Sequence, residues 1–306
     1  MLFTSLSGAG YGLWFLIGAG IALDVYPPGR GALLVPLALG FVLTSAGLLA
    51  SLAHLGKPLR AWRALSQWRS SWLSREGVSA LVCVPIVLLL TVLTSKLHYG
   101  AGIRLGFAVL ATMSALTVFC TSRIYSSLKT VRAWHDLRVL PLYVLLALET
   151  GGLCLWALRS RHLPAGGRGW AWLIALVAII ITAAMVQLAY WRRLERMPRT
   201  TAGVATGLDR FGEVRSFEAP ATEENYLIRE MGFALARRHA VLLRQATRYL
   251  LFFVPLFALG ATAVAPRCAP LVAVTAAICA LCGVFVQRWL FFAEARHVVV
   301  AYYGQV

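Results

Sequence analysis

Apolar residues in this chain neither alternate nor recur at every third or fourth position; they run in long blocks separated by short polar stretches. About 20 apolar residues are needed for a helix to cross the hydrocarbon core of a bilayer. Eight blocks qualify, over 8–25, 31–55, 77–97, 105–125, 137–158, 170–191, 249–264 and 271–292. The pattern predicts an all-α, polytopic membrane protein, a single helical bundle over 1–306 with eight transmembrane helices. The seventh block is the shortest, and Pro255 within it predicts a kink. An even number of crossings puts both termini on one side. No internal repeat and no soluble domain with its own core is legible. Residues 1–8 carry no Lys or Arg, so the first block reads as a retained helix rather than a signal peptide.

Charge then orients the bundle. Of the 29 Lys and Arg residues, 22 fall on the side of the termini and 7 on the other. The positive-inside rule therefore predicts cytoplasmic termini and cytoplasmic larger loops. Composition supports the class: 59% of residues are hydrophobic and 13% charged, with a mean hydropathy of +0.74, where soluble domains run near a quarter charged. A net charge of +17 raises nucleic acid as a partner. The basic residues sit between apolar blocks without forming a patch, however, so no nucleic-acid role is expected and membrane lipid is.

Three polar segments lie on the predicted cytoplasmic side. In 56–75, GKPLRAWRALSQWRSSWLSR, Trp62, Leu65, Trp68 and Trp72 fall at helical spacing with arginines between them, which predicts a segment lying on the membrane surface. It reads either as a lipid anchor or as a platform for a partner or a lipid-borne substrate. The second, 121–137, is a short polar hairpin. The third, 192–245, is too long for a turn, carries mixed charge with a short helix expected over 223–238, and reads as a docking loop for a soluble partner. Arg63, Arg69, Arg132, Arg210 and Arg215 are the docking candidates in these segments.

Five of the six cysteines, Cys83, Cys120, Cys154, Cys279 and Cys282, fall within apolar blocks and read as small hydrophobes, with Cys268 in a turn. Cys279 and Cys282 form a CxxC inside a span, and without further ligands a metal or redox site is not expected there. The six histidines, His54, His98, His135, His162, His239 and His297, lie at block ends or in loops, so none pairs across the mid-membrane as haem ligands must. No haem and no metal site is expected. His54 ends the second block and Glu76 opens the third, 22 residues apart, so both sit at one membrane depth. A quinone head group needs hydrogen-bond partners and proton-exchanging groups beside an apolar slot. The alternative is that His54 caps carbonyls while Glu76 pairs with Arg75 or Arg60. Glu294, Arg296 and His297 follow the eighth block and are further candidates for the same surface, with helix capping as the alternative, and Arg288 near the end of that block is another candidate. Glu149, beside Gly151 and Gly152, reads either as a buried proton carrier or as a helix-packing contact.

The stretch SLAHLGKPLRAWRALSQWRSSWLSREG at 51–77 resembles the membrane-anchor subunits of dimethyl sulfoxide reductase-type molybdoenzymes, which carry an HLG-x-P-x-R-A element and a Leu-Ser-(Arg/Asn)-Glu opening to the next helix. SRIYSSLKTVRAWH at 122–135 and RWLFFAEARHVV at 288–299 extend the likeness over nearly the whole chain, the last with a shift of about two residues. The resemblance implies a non-catalytic subunit of the bacterial inner membrane. It implies two partners that hold the other cofactors, an iron–sulfur subunit and a catalytic molybdopterin subunit, with electrons exchanged with ubiquinone or menaquinone. It also implies a quinone-binding and proton-exchanging role for His54 and Glu76, with Arg60 and Trp72 beside them. The predicted cytoplasmic side of this element resembles the sulfite dehydrogenase branch, which implies a sulfite:quinone oxidoreductase with its catalytic partners on the cytoplasmic side. The competing expectations are an S- or N-oxide reductase anchor oxidising menaquinol, and, from another class, a membrane transporter.

Overall fold

The computed structural model describes residues 1–26, 29–53, 55–96, 100–160, 167–198, 201–215, 217–218 and 234–298. Among these, eight helices are long and apolar enough to cross a membrane. The first six crossings are α1 (Leu2–Ala22), α2 (Arg30–Ala53), α3 (Trp72–Lys96), α4 (Ala101–Ser126), α5 (Val139–Arg159) and α6 (Gly167–Arg196). After α6 come two short helices, α7 (Ala202–Thr206) and α8 (Ala234–Arg238). The seventh crossing joins α9 (Ala240–Thr247), a π-helical stretch at Arg248–Phe253 and α10 (Val254–Val264); the eighth is α11 (Ala269–Ala293).

Several expected boundaries move. The seventh span is 25 residues, Ala240–Val264, rather than the shortest of the set. Its polar first turns hid it in the sequence, and Pro255 is accommodated by the π-helical stretch that precedes it, where wider hydrogen bonding absorbs a missing N–H. The expected 192–245 loop is helical at both ends, since α6 continues to Arg196 and α9 starts at Ala240. The helix expected over 223–238 is seen only as Ala234–Arg238, because 219–233 lie outside the described residues. The 56–75 segment forms a 3-10 helix at Pro58–Gln67, and Trp72 belongs to α3. It does lie at the surface, with Leu59, Trp62 and Trp68 exposed. Thr121–Ser126 extend α4, leaving a shorter hairpin.

α1 and α5 are the most enclosed spans, and α1 packs against α2, α4 and α5. Helices in lipid gain little from hydrophobic burial against one another, so they associate through close backbone packing that small residues permit. A Cβ on Gly12 would fall 1.8 Å from the Ala147 carbonyl oxygen, and one on Gly151 2.3 Å from the Leu13 nitrogen, so the two glycines clasp α1 against α5. On the other flank of α1, Trp14 lies over Gly40 and donates its indole N–H to the Leu37 carbonyl at 3.2 Å. Pro36 has no N–H for the Ala32 carbonyl. Tyr26 supplies the missing donor with its hydroxyl, 2.8 Å away.

At the face bearing most Lys and Arg, the α4–α5 hairpin is tied to the sixth and eighth spans. The buried Asp136 carboxylate receives the Arg138 backbone N–H at 2.8 Å and its guanidinium at 3.1 Å, and pairs with Arg193 of α6. Trp134 donates to the Phe291 carbonyl at 3.0 Å, Tyr190 to the Ala133 carbonyl at 3.2 Å, and Val131 bridges His297.

Gly12→Val should separate α1 from α5 and lower the thermal midpoint of the detergent-purified protein by several degrees or abolish its folded yield, overpacking of this kind costing about 1–3 kcal/mol or more. Gly8, which has nothing within 4 Å of a built Cβ, supplies the control: Gly8→Ala should leave the midpoint unchanged.

Candidate functional site

Five spans bring polar side chains together just inside the basic face. Glu76, in the first turns of α3, is 3% exposed and accepts a hydrogen bond from the Thr121 hydroxyl of α4. The expected alternative, pairing with Arg75, does not form. Arg75 turns outward, donating to the Trp68 carbonyl at 3.0 Å and covering the Trp72 ring at 4.3 Å. Arg60 is exposed on the 3-10 helix. That helix folds back on α3: Ser74 donates to the Ala64 carbonyl, and Leu65 reaches within 2.8 Å of a Cβ built on Gly77. The 3-10 helix thus packs on the turn of α3 that carries Glu76. Trp72 is held edge-on to Phe119 with Arg75 and Arg123 over its ring, an arrangement suited to the membrane interface.

Thr121 also lines a cavity of about 10 Å³, shared with Thr4, Ser5 and Tyr11 of α1, Tyr143 of α5 and Arg288 of α11. That volume is at the threshold for one water. Arg288 is 2% exposed, with its guanidinium carbon 3.4 Å from the centre of the Tyr143 ring. It is therefore no loop-side topology charge but a cation inside the bundle. A desolvated cation over an aromatic face is worth about 2 kcal/mol or more, comparable to the ~2.5–3.5 kcal/mol cost of an arginine at mid-membrane. The ring face thus holds the charge while leaving N–H donors over: among the described residues, Arg288 Nε and Nη1 and the Tyr11 and Tyr143 hydroxyls have no hydrogen-bond partner. Tyr11, Val118 and Ala147 also wall a second, mainly apolar slot of about 110 Å³ between α1, α4 and α5, with Gly12, Phe15 and Ser114 among its other lining residues.

The structure therefore joins Glu76, through Thr121, to the cavity that Arg288 lines. His54 lies outside the described residues. Glu294 and His297 do not join this group. Glu294 pairs with Arg244 of α9 at 2.8 Å, and His297 bridges Val131 in the α4–α5 hairpin. Burial raises the Glu294 carboxyl above the ordinary carboxylate range, and Arg244 opposes that shift. Glu149 is fully buried, and both its carboxyl oxygens lack partners among the described residues. It lies on the stripe of α5 that carries Leu146, Leu153 and Trp156, not in the wall of either cavity.

Among the docking candidates, Arg63, Arg69, Arg210 and Arg215 are exposed, the first three over their neighbours Trp62, Trp68 and Phe211 and the last paired with Glu213. Arg132 is part-buried in the α4–α5 hairpin. Sequence reasoning missed Tyr11, Thr121 and Tyr143. The signal was present, since polar side chains within spans face the bundle interior by default, but Thr121 read as loop and tyrosines are common at both membrane interfaces.

Residues 1–293 match the family described as DMSO reductase anchor subunit (DmsC). The protein is 30% identical over 328 residues to the C subunit of sulfite dehydrogenase from Allochromatium vinosum, an alignment that spans 99% of this sequence and 97% of that one. It is also 30% identical over 147 residues to the C component of anaerobic dimethyl sulfoxide reductase from Escherichia coli, spanning 48% of this sequence and 50% of that one. No solved structure matches. With a family match that runs through all eight spans, this chain belongs to the DMSO reductase anchor subunits.

Proposed function

We propose that this anchor subunit exchanges electrons between a partner iron–sulfur subunit and a membrane quinone, in a complex whose molybdopterin subunit oxidises sulfite. The observation that carries the quinone reading is the linkage of Glu76, Thr121 and Arg288 around one buried cavity. Quinone reduction takes up two electrons and two protons. A carboxyl group bonded to a hydroxyl can hold and pass on a proton, and spare N–H and O–H donors can bind a ring oxygen as charge grows on it. In this reading Glu76 exchanges the proton, with His54 as its partner towards water, while Arg288 and Tyr11 orient the head group. Trp72 and Arg60 border the entrance at the interface. The apolar slot beside Tyr11 takes the ring. Its volume is below the ~300–1,000 Å³ of pockets that enclose whole ligands, so entry of a ring requires the wall between α1 and α4 to open.

Sulfite as the substrate rests on the match to a sulfite dehydrogenase subunit along nearly the whole of both sequences, against half of each for the dimethyl sulfoxide reductase component. The excess of Lys and Arg at one face supports cytoplasmic termini and docking of the partners there. The exposed Arg63, Arg69, Arg210 and Arg215 and the part of the 192–245 segment that follows α6 form the docking surface of this reading. The whole chain, 1–306, serves as one membrane unit.

Glu76→Gln should reduce sulfite-driven quinone reduction by the assembled complex about 100-fold or more, the usual scale for a lost proton-transfer group. Turnover with a soluble electron acceptor and the thermal midpoint should both stay near wild type. Equal loss of both activities would mean that Glu76 serves assembly rather than quinone chemistry. Mild-detergent purification of the tagged protein should bring down two soluble subunits with molybdenum and iron; a stable, metal-free protein alone would sink the anchor-complex reading. A cytoplasm-active reporter fused at the C-terminus should be active, and a periplasm-active one silent.

A further inference from the structure

Outside the quinone reading, the basic face carries an open groove of about 650 Å³ between the α4–α5 hairpin and the end of α6. Its walls carry Lys129, Arg132, Arg138, Arg192, Arg193 and Arg196, with His135 among them. No carboxylate lines it among the described residues. The nearest acidic anchor is buried Asp136, already engaged by Arg138 and Arg193. So many cations around one hollow repel one another unless an anion occupies it.

We propose that this groove binds the phosphate headgroup of an anionic membrane phospholipid. Two features favour a lipid over the acidic surface of a soluble partner. First, the groove runs down the flank of α6 from Pro198, beyond the span, to Ala189, inside it. At 1.5 Å per residue that descent is about 13 Å, the depth over which a headgroup passes into acyl chain. Second, α6 is the least enclosed of the eight spans, so the groove opens beside a helix whose outer face meets lipid. Clusters of basic residues between transmembrane helices at the interface recognise phosphate headgroups through this charge complementarity, and guanidinium groups engage phosphate oxygens in pairs. The Asp136–Arg193 pair and the Tyr190 bond to the Ala133 carbonyl hold one wall of the groove against the other, so the site is built before the lipid arrives.

The test uses the full-length protein, delipidated in neutral detergent, with native mass spectrometry and thermal melting as readouts. Cardiolipin, phosphatidylcholine and inorganic phosphate are added separately. Cardiolipin should remain bound and raise the melting midpoint, while phosphatidylcholine and inorganic phosphate at matched concentration should not. Arg192→Gln combined with Arg196→Gln should weaken cardiolipin retention about 30-fold, from roughly 1 kcal/mol per basic residue. Arg192→Lys with Arg196→Lys should retain most of it, which separates lost charge from lost fold. Equal retention by wild type and the glutamine pair would overturn the proposal, as would inorganic phosphate acting as well as cardiolipin. So would loss of co-purifying soluble subunits in the glutamine pair with cardiolipin binding intact, which would make the groove a protein-docking surface.

Discussion

The polar cavity just inside the basic face hangs on how closely α1 lies against its neighbours. Water drives apolar helices together in soluble proteins, but lipid is as apolar as leucine, so that force is absent here. What remains is dispersion between backbones in near contact, and Gly12 and Gly151 make that contact possible by removing the atoms that would stand between α1 and α5. The same close approach carries Thr4, Ser5 and Tyr11 of α1 up to Tyr143 and Arg288. A looser bundle would admit lipid or water between these groups. The polar cavity is thus a consequence of small residues elsewhere in the helices.

Burial of the polar groups is then a matter of local compensation. Glu76 has Thr121, Arg288 has the face of Tyr143, Asp136 has two arginines and a backbone N–H, and Gln287 donates to Gln187 at 2.9 Å. Apart from the local contacts between Asp136 and Arg138, each pairing joins different spans or a span to a hairpin, so the polar contacts specify which helices are neighbours, where apolar packing alone would tolerate several arrangements. Glu149 stands apart, buried with no partner among the described residues. Its position inside the most enclosed span keeps it from being a surface residue, and neither cavity wall includes it.

The proposed functions divide along the membrane normal. The exposed arginine-bearing segments at the basic face suit contact with soluble subunits. The cavity below them suits exchange of protons with a lipid-borne substrate, and the groove beside α6 suits the headgroups of the bilayer itself. The 3-10 helix over Pro58–Gln67 links the first two, since it is exposed on one side and packs Leu65 onto the turn of α3 that carries Glu76 on the other.

Sequence by itself determined the class, the number of crossings and the face on which charge accumulates, because uninterrupted apolar runs and the placement of Lys and Arg are one-dimensional signals. Glu76 was legible from its place at the opening of the third block, 22 residues after His54, and the HLG-x-P-x-R-A element added to that reading. The start of the seventh span was not, because Arg244 and Arg248 lie within its first turns and look like loop until Glu294 and the Trp191 ring are found beside Arg244. Nor could spacing decide whether Glu76 meets Arg75 or Thr121, since both are sterically open to a residue at a helix start. Only tertiary structure decided that Arg288 is interior while Glu294, six residues on, faces α9. Tertiary structure likewise chose Tyr11, Thr121 and Tyr143 as Arg288's company. These are contacts between residues tens to hundreds of positions apart, selected by helix rotation and crossing, which no local pattern encodes.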